Sequence, residues 1–192
     1  MTTNAGKIEA VTNIAQVNQA LALIEDVVEK PYHLNERWIV LNGWVAVPVE
    51  SSIREREAEW LSEAAMYMGC DESLAVATES LTPDTTCYQV PMTLEGIFDF
   101  GWECHPFNYV LLPESRLFAV LHTTEDYNIV AGPSNFVTKA VGCSIPTARR
   151  MFRSFASDPL WREPERNLLL AVAKKYESIS ETSEKGYERL LE

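Results

Sequence analysis

The chain predicts an α+β fold: a central antiparallel sheet built as a meander, with helices packed on one face and at both chain ends. Three observations carry this expectation. Between Asn108 and Gly142, three apolar, β-branched runs are separated by short polar turns, and the last feeds through Gly132-Pro133-Ser134 into a short helical pattern. Apolar stripes at three- and four-residue steps lie before and after that block. Strands are therefore clustered in the middle with helices outside them, which is the layering of an α+β domain. A chain of 192 residues is accommodated by one domain over 1–192. Residues 1–12 and 178–192 are polar and are expected to be peripheral or flexible.

Taken in order, the first helix is expected from Asn13, an N-cap with Gln16 three positions on. Ile14, Val17, Leu21, Ile24 and Val28 form its apolar stripe, and Pro31 ends it. Residues 38–47, WIVL-NG-WVAV, read as a hairpin turning at Asn42-Gly43, where both turn positions need positive φ. One continuous strand is the competing reading. A second helix is expected from Ser52, with Glu55 completing a capping box and Ile53, Trp60, Leu61, Ala64, Ala65 and Met68 as its inner face. Gly69 is placed to stop it in the left-handed conformation.

Short strands are expected at Leu74 to Thr78 and Cys87 to Val90, joined by the polar loop Glu79 to Thr86. Residues 94–107 are apolar and aromatic without a clean period, so no element is assigned there. After the meander, Ser134 is the cap of a short helix ending at Gly142. Pro146 sits in the first turn of another, with Ala148, Met151, Phe152 and Phe155 as its stripe, and Asp158-Pro159 breaks it. Pro164 opens a last helix with Leu168, Leu169, Val172, Ala173 and Tyr176 inside. From Glu177 onward the chain reads as a separate terminal helix or a tail.

Acidic residues number 28 against 16 basic ones, a formal net charge of −12. That field disfavours nucleic acid and anionic membranes and favours a basic protein partner. It also serves simple solubility. Cys70, Cys87, Cys104 and Cys143 are spread without a C-x-x-C pair, and Met1 to Ala10 holds no apolar signal core. Free thiols in a reducing, cytoplasmic compartment are expected. The sequence leaves the oligomeric state open.

The run LFAVLHTTEDYNIVAGPSNFVTKAVG, residues 117–142, resembles the closing part of the SUKH family of bacterial immunity proteins. In that family central strands also lead into a short helix through an apolar-aromatic pair, here Phe136 and Val137. The family's N-terminal Leu-Pro and Gly-Gly pattern has no counterpart in this chain. The resemblance implies a cytosolic protein that binds and neutralises a toxin, with no catalytic residues to carry over.

Chemistry is sparse. Residues 98–107 bring a thiol, an imidazole, two carboxylates and four aromatics within ten positions. A small enzyme would use Cys104, His105 and His122 there, although sequence neighbours such as Cys104 and His105 point apart on a strand. The bland alternative is an aromatic turn packing on the sheet. His33, His105, His122, Cys104 and Cys143 lack metal-ligand spacings, and no metal or cofactor is expected. Phosphate-loop and nucleophile-elbow motifs are absent. Ala131-Gly132-Pro133-Ser134 reads as a turn and cap before it reads as an anion cradle. Glu125-Asp126 occupies a turn, where polar residues belong in any case.

Binding is thus favoured over catalysis. Of the five tryptophans, Trp44 beside the presumed hairpin turn, Trp102 in the aromatic segment and Trp161 between two prolines are candidate interface anchors. Glu103, Glu125 and Asp126 are the candidate acidic contacts for a basic partner.

Overall fold

A computed structural model describes residues 7–30, 32–51, 53–79, 81–82 and 85–188. Along the chain run β1 (Glu9–Ala10), α1 (Ile14–Ile24), β2 (Val28–Lys30), β3 (His33–Leu34), α2 (Glu36–Leu41), β4 (Val45–Glu50), α3 (Glu55–Tyr67) and β5 (Glu72–Ala77). There follow β6 (Cys87–Pro91), α4 (Leu94–Glu103), β7 (Tyr109–Leu112), β8 (Ala119–His122), β9 (Tyr127–Gly132), α5 (Ser134–Ala140), α6 (Ile145–Ala156) and α7 (Glu163–Glu188).

Seven strands form one antiparallel sheet in the order β1-β6-β5-β7-β8-β9-β4, and β2 and β3 make a separate small ribbon. The meander is β7-β8-β9, with Val110 opposite Leu121 and Leu121 opposite Ile129. Because side chains alternate along a strand, each strand from β4 to β9 feeds two cores. Val76, Val110, Leu121 and Ile129 pack with Ile24, Ile39, Phe152 and Tyr176 on one side. Ala75, Leu111, Val120 and Val130 pack with Leu61, Phe100 and Phe136 on the other. The α+β class and the antiparallel sheet are as expected. The helices cover both faces rather than the single face anticipated, since α3, α4 and α5 lie opposite α1, α2 and α7.

The hairpin expected at Asn42-Gly43 is not formed, nor is the continuous strand. Asn35 accepts from the Arg37 and Trp38 amides and starts α2 instead. Asn42 stays right-handed at φ −89° and only Gly43 is left-handed, at φ +62°. The Gly43 amide donates to Val40 and the Trp44 amide to Ile39, which closes α2 as a Schellman motif. A Gly that satisfies a hairpin turn satisfies a helix stop equally well, and the buried Trp38-Ile39 pair decides for the helix. Gly69 behaves as expected at the end of α3, with φ +68° and the Cys70 amide donating to Ala65.

Smaller corrections follow from capping. Asn13 caps α1, accepting from Ala15 and Gln16, but the helix stops at Ile24, and Val28 belongs to the ribbon. The expected break at Pro31 lies outside the described residues. Helix α3 begins at Glu55, where the Arg54 amide donates to the Glu57 carboxylate. The expected cap Ser52 lies outside the described residues. Ser134 is the first residue of α5, one position past the cap. The unassigned segment contains α4, with Thr93 accepting from the Gly96 amide. At the margins, Glu9 and Ala10 join the sheet through β6, and α7 continues to Glu188 as one helix.

Candidate functional site

The Cys/His neighbourhood forms around the end of α4. Cys104 closes that helix, its amide donating to Phe100, and the chain then turns through His105-Pro106-Phe107. The turn sends Cys104 inward and His105 outward. Cys104 is fully buried, and burial, aided by the Glu103 charge, pushes its thiol up to about 12. A nucleophilic cysteine needs access and a thiolate, and this environment withholds both.

His122, on β8, is also buried and lies under α4, its ring 6.1 Å from Phe100 and 6.4 Å from His105. Its Nδ1 is 2.9 Å from Asn128 Oδ1, while Asn128 Nδ2 donates to the Ser51 carbonyl. The Asn128 oxygen therefore faces the imidazole, and His122 Nδ1 is the protonated nitrogen. This is a structural relay that ties β8 and β9 to the end of β4. Two of the three residues of the presumed Cys/His pocket are sealed, so they offer no cleft to a substrate.

Burial lowers the His122 pKa below its ordinary value of 6.5, against the upward pull of the Asn128 hydrogen bond. In the unfolded chain the ring takes its proton as pH falls through about 6.5, while in the folded protein it remains neutral. Acid then favours the unfolded state. The stability linked to His122 is complete above 6.5 and is lost as pH falls below that value towards the folded pKa, by at most about 1.4 kcal/mol per pH unit. Urea unfolding of wild type and His122→Gln at neutral and mildly acidic pH reads this directly. The wild type is expected to lose more stability than the variant on acidification; equal losses refute the linkage.

The other sequence candidates are dispersed. Trp44 is only 6% exposed and stacks edge-on against Trp38 at 4.5 Å, so it is a core residue and not an interface anchor. The Gly43 turn, which the hairpin reading misplaced, points it inward. Trp161 is half-buried: its Nε1 donates to the Phe155 carbonyl and its ring meets Phe155 at 5.1 Å, which pins the link between α6 and α7. Glu125 is half-buried and Asp126 exposed in the β8–β9 turn, where Asp126 takes φ +62° and the Glu125 amide donates to Thr123 Oγ1.

Trp102 is different. It stands 77% exposed on α4, in line with Phe98 at 46% and Leu94 at 37%. These residues are four apart, so they form one ridge roughly 12 Å long on the helix surface. Gly96, Ile97 and Phe100 hold the opposite side of α4 in the core. Each ridge residue is followed by a carboxylate, in Leu94-Glu95, Phe98-Asp99 and Trp102-Glu103. The result is an apolar ridge with an acidic stripe beside it. Leu94 and Phe98 come into line with Trp102 only because residues 94–103 are helical, which the sequence reading leaves unassigned. The signal was present: the apolar–acid pair recurs every fourth position.

Among the described residues no group of three or more His, Cys, Asp or Glu side chains could hold a metal ion, and no helix is long and apolar enough to cross a membrane. Comparison with known proteins gives no match to any family model, curated protein or solved structure.

Proposed function

We propose that this chain is a non-enzymatic protein-binding module that receives a basic, amphipathic helical segment of a partner protein along α4. It acts as an immunity protein or inhibitor acts, by covering the partner's functional surface. The observation that carries this reading is the exposed Leu94-Phe98-Trp102 ridge with Glu95, Asp99 and Glu103 alongside. Exposed large aromatics in register are uncommon on a free surface, and Trp is among the residues that dominate binding hot spots. The stripe and the formal charge of −12 select a partner with Lys or Arg flanking its apolar face.

The test titrates a fluorescently labelled synthetic helix, leucine on one face and lysine on both flanks, against the full chain and reads anisotropy. Trp102→Ala is expected to weaken binding roughly thirtyfold, the scale of a hot-spot truncation of about 2 kcal/mol. Neutralising Glu95, Asp99 and Glu103 together is expected to weaken binding and flatten its salt dependence. Neutralising Glu55, Glu59 and Glu63, exposed on α3, serves as the charge-matched control and is expected to leave affinity unchanged. Equal losses in the two triple variants, or none with Trp102→Ala, defeat the proposal.

A further inference from the structure

On the α3–α5 side of the sheet, β4, β8 and β9 and the helices α3, α5 and α6 leave a cavity of about 230 Å³. Trp60, Leu61, Val130, Val141, Phe152 and Phe155 supply much of its wall. Interiors are normally packed with few voids larger than a water molecule. An apolar cavity of about 150 Å³ is enough to hold a benzene ring, so this one accommodates a ring with a short substituent. It opens to solvent past Glu50, Arg54 and Met151, and Met151 is 63% exposed.

One buried polar group faces this apolar space. Asn128 is 3% exposed and lines the cavity. Its oxygen is taken by His122 and one Nδ2 hydrogen by the Ser51 carbonyl. An amide nitrogen carries two hydrogens, which leaves one for an acceptor inside the cavity. Three charged side chains also line the cavity: Arg54 and Glu50 lie 3.9 Å apart and face water, and the half-buried Glu57 carboxylate accepts from the Arg54 amide. The cavity thus offers a buried donor, while Arg54, exposed and beside Glu50, is the one cation among its described lining residues, so burying an anion there is strongly disfavoured.

We infer that this cavity is a binding site for a neutral, compact apolar molecule with a single acceptor oxygen, its ring or branched chain against Trp60 and Phe155 and its oxygen towards Asn128. The site is separate from the α4 ridge and does not depend on its role. Cys143 lines the same cavity and is half-buried, whereas Cys70, Cys87 and Cys104 are buried. The rate of Cys143 modification by a thiol reagent therefore reports occupancy.

The experiment measures that rate and the melting temperature of the full chain with acetophenone, toluene or benzoate. Acetophenone is expected to slow modification saturably and to raise the melting temperature. Toluene, lacking the acceptor, is expected to act about tenfold more weakly, and benzoate not at all. Met151→Trp, a surface change at the mouth, and Ala148→Met, a filling change in the wall, are each expected to abolish the acetophenone effect. Two variants keep the test open if one of them folds poorly. Protection by benzoate equal to that by acetophenone, protection retained in a folded variant, or no effect of acetophenone up to its solubility limit each overturns the inference.

Discussion

Gly96→Ala is expected to destabilise the protein by about 3 kcal/mol and to displace α4. A Cβ built at this position falls 2.2 Å from the Pro91 carbonyl oxygen and 3.1 Å from its carbon. Those atoms belong to the end of β6, so neither the strand nor the first turn of α4 can give way through a rotamer change. Alanine's better helix propensity returns about 1 kcal/mol, too little to offset an overlap with backbone. Gly101→Ala on the same helix is the useful contrast. Its Cβ meets Ile53 Cβ at 3.0 Å, a longer approach to a residue in the segment between β4 and α3, which needs a shift of only a few tenths of an ångström, and the expected cost is about 1 kcal/mol. Chemical denaturation of both variants measures the difference. If Gly96→Ala proves as mild as Gly101→Ala, the close approach of α4 to β6 is not a constraint. Since α4 carries Leu94, Phe98 and Trp102, the first variant also moves the ridge, while the second leaves it in place.

Tyr176→Ala is expected to cost about 4 kcal/mol or more, the range for emptying a large aromatic site in a core. Tyr176 is fully buried on α7, and its hydroxyl accepts from the Leu34 amide at 3.0 Å, across 142 residues of chain. Truncation removes the ring and also leaves a buried N–H without its partner, which adds to the loss. Tyr176→Phe keeps the ring and removes the oxygen, and its expected cost is about 1–2 kcal/mol. The gap between the two variants in urea denaturation separates packing from hydrogen bonding. A Tyr176→Ala midpoint within experimental error of wild type would show that α7 is not docked through this residue.

The legible part of the fold was the part governed by local chemistry. The meander was read correctly because its β-branched runs and polar turns permit little else, and its inward residues form both cores. Caps at Asn13 and Gly69 were also legible, since each is a local hydrogen-bond requirement. The failures have a common physical origin. Asn42-Gly43 answers to two different geometries, and what chooses between them is the burial of Trp38 and Ile39 by elements far away in sequence. Residues 94–107 hid a helix because its outer face is apolar as well as its inner one, so no single stripe stood out. Trp102 lies exposed, as the proposed role of anchor requires, because α4 turns that side chain to solvent. Trp44 was misjudged with the turn that orients it. The cavity beside Asn128 had no sequence signal, since its lining is gathered from six elements spread along the chain.

The margins of the seven-stranded sheet differ in how they are closed. At one side stands β1, only two residues long. At the other, β4 contains Pro48, which has no N–H, and lies against α6 and α7. Neither margin presents the long row of open amides on which a strand from another copy can add. The cover over the β4 margin thus belongs to the helices as much as to the sheet itself. Because α6 and α7 both lie against β4, baring that margin requires both helices to leave and not α7 alone.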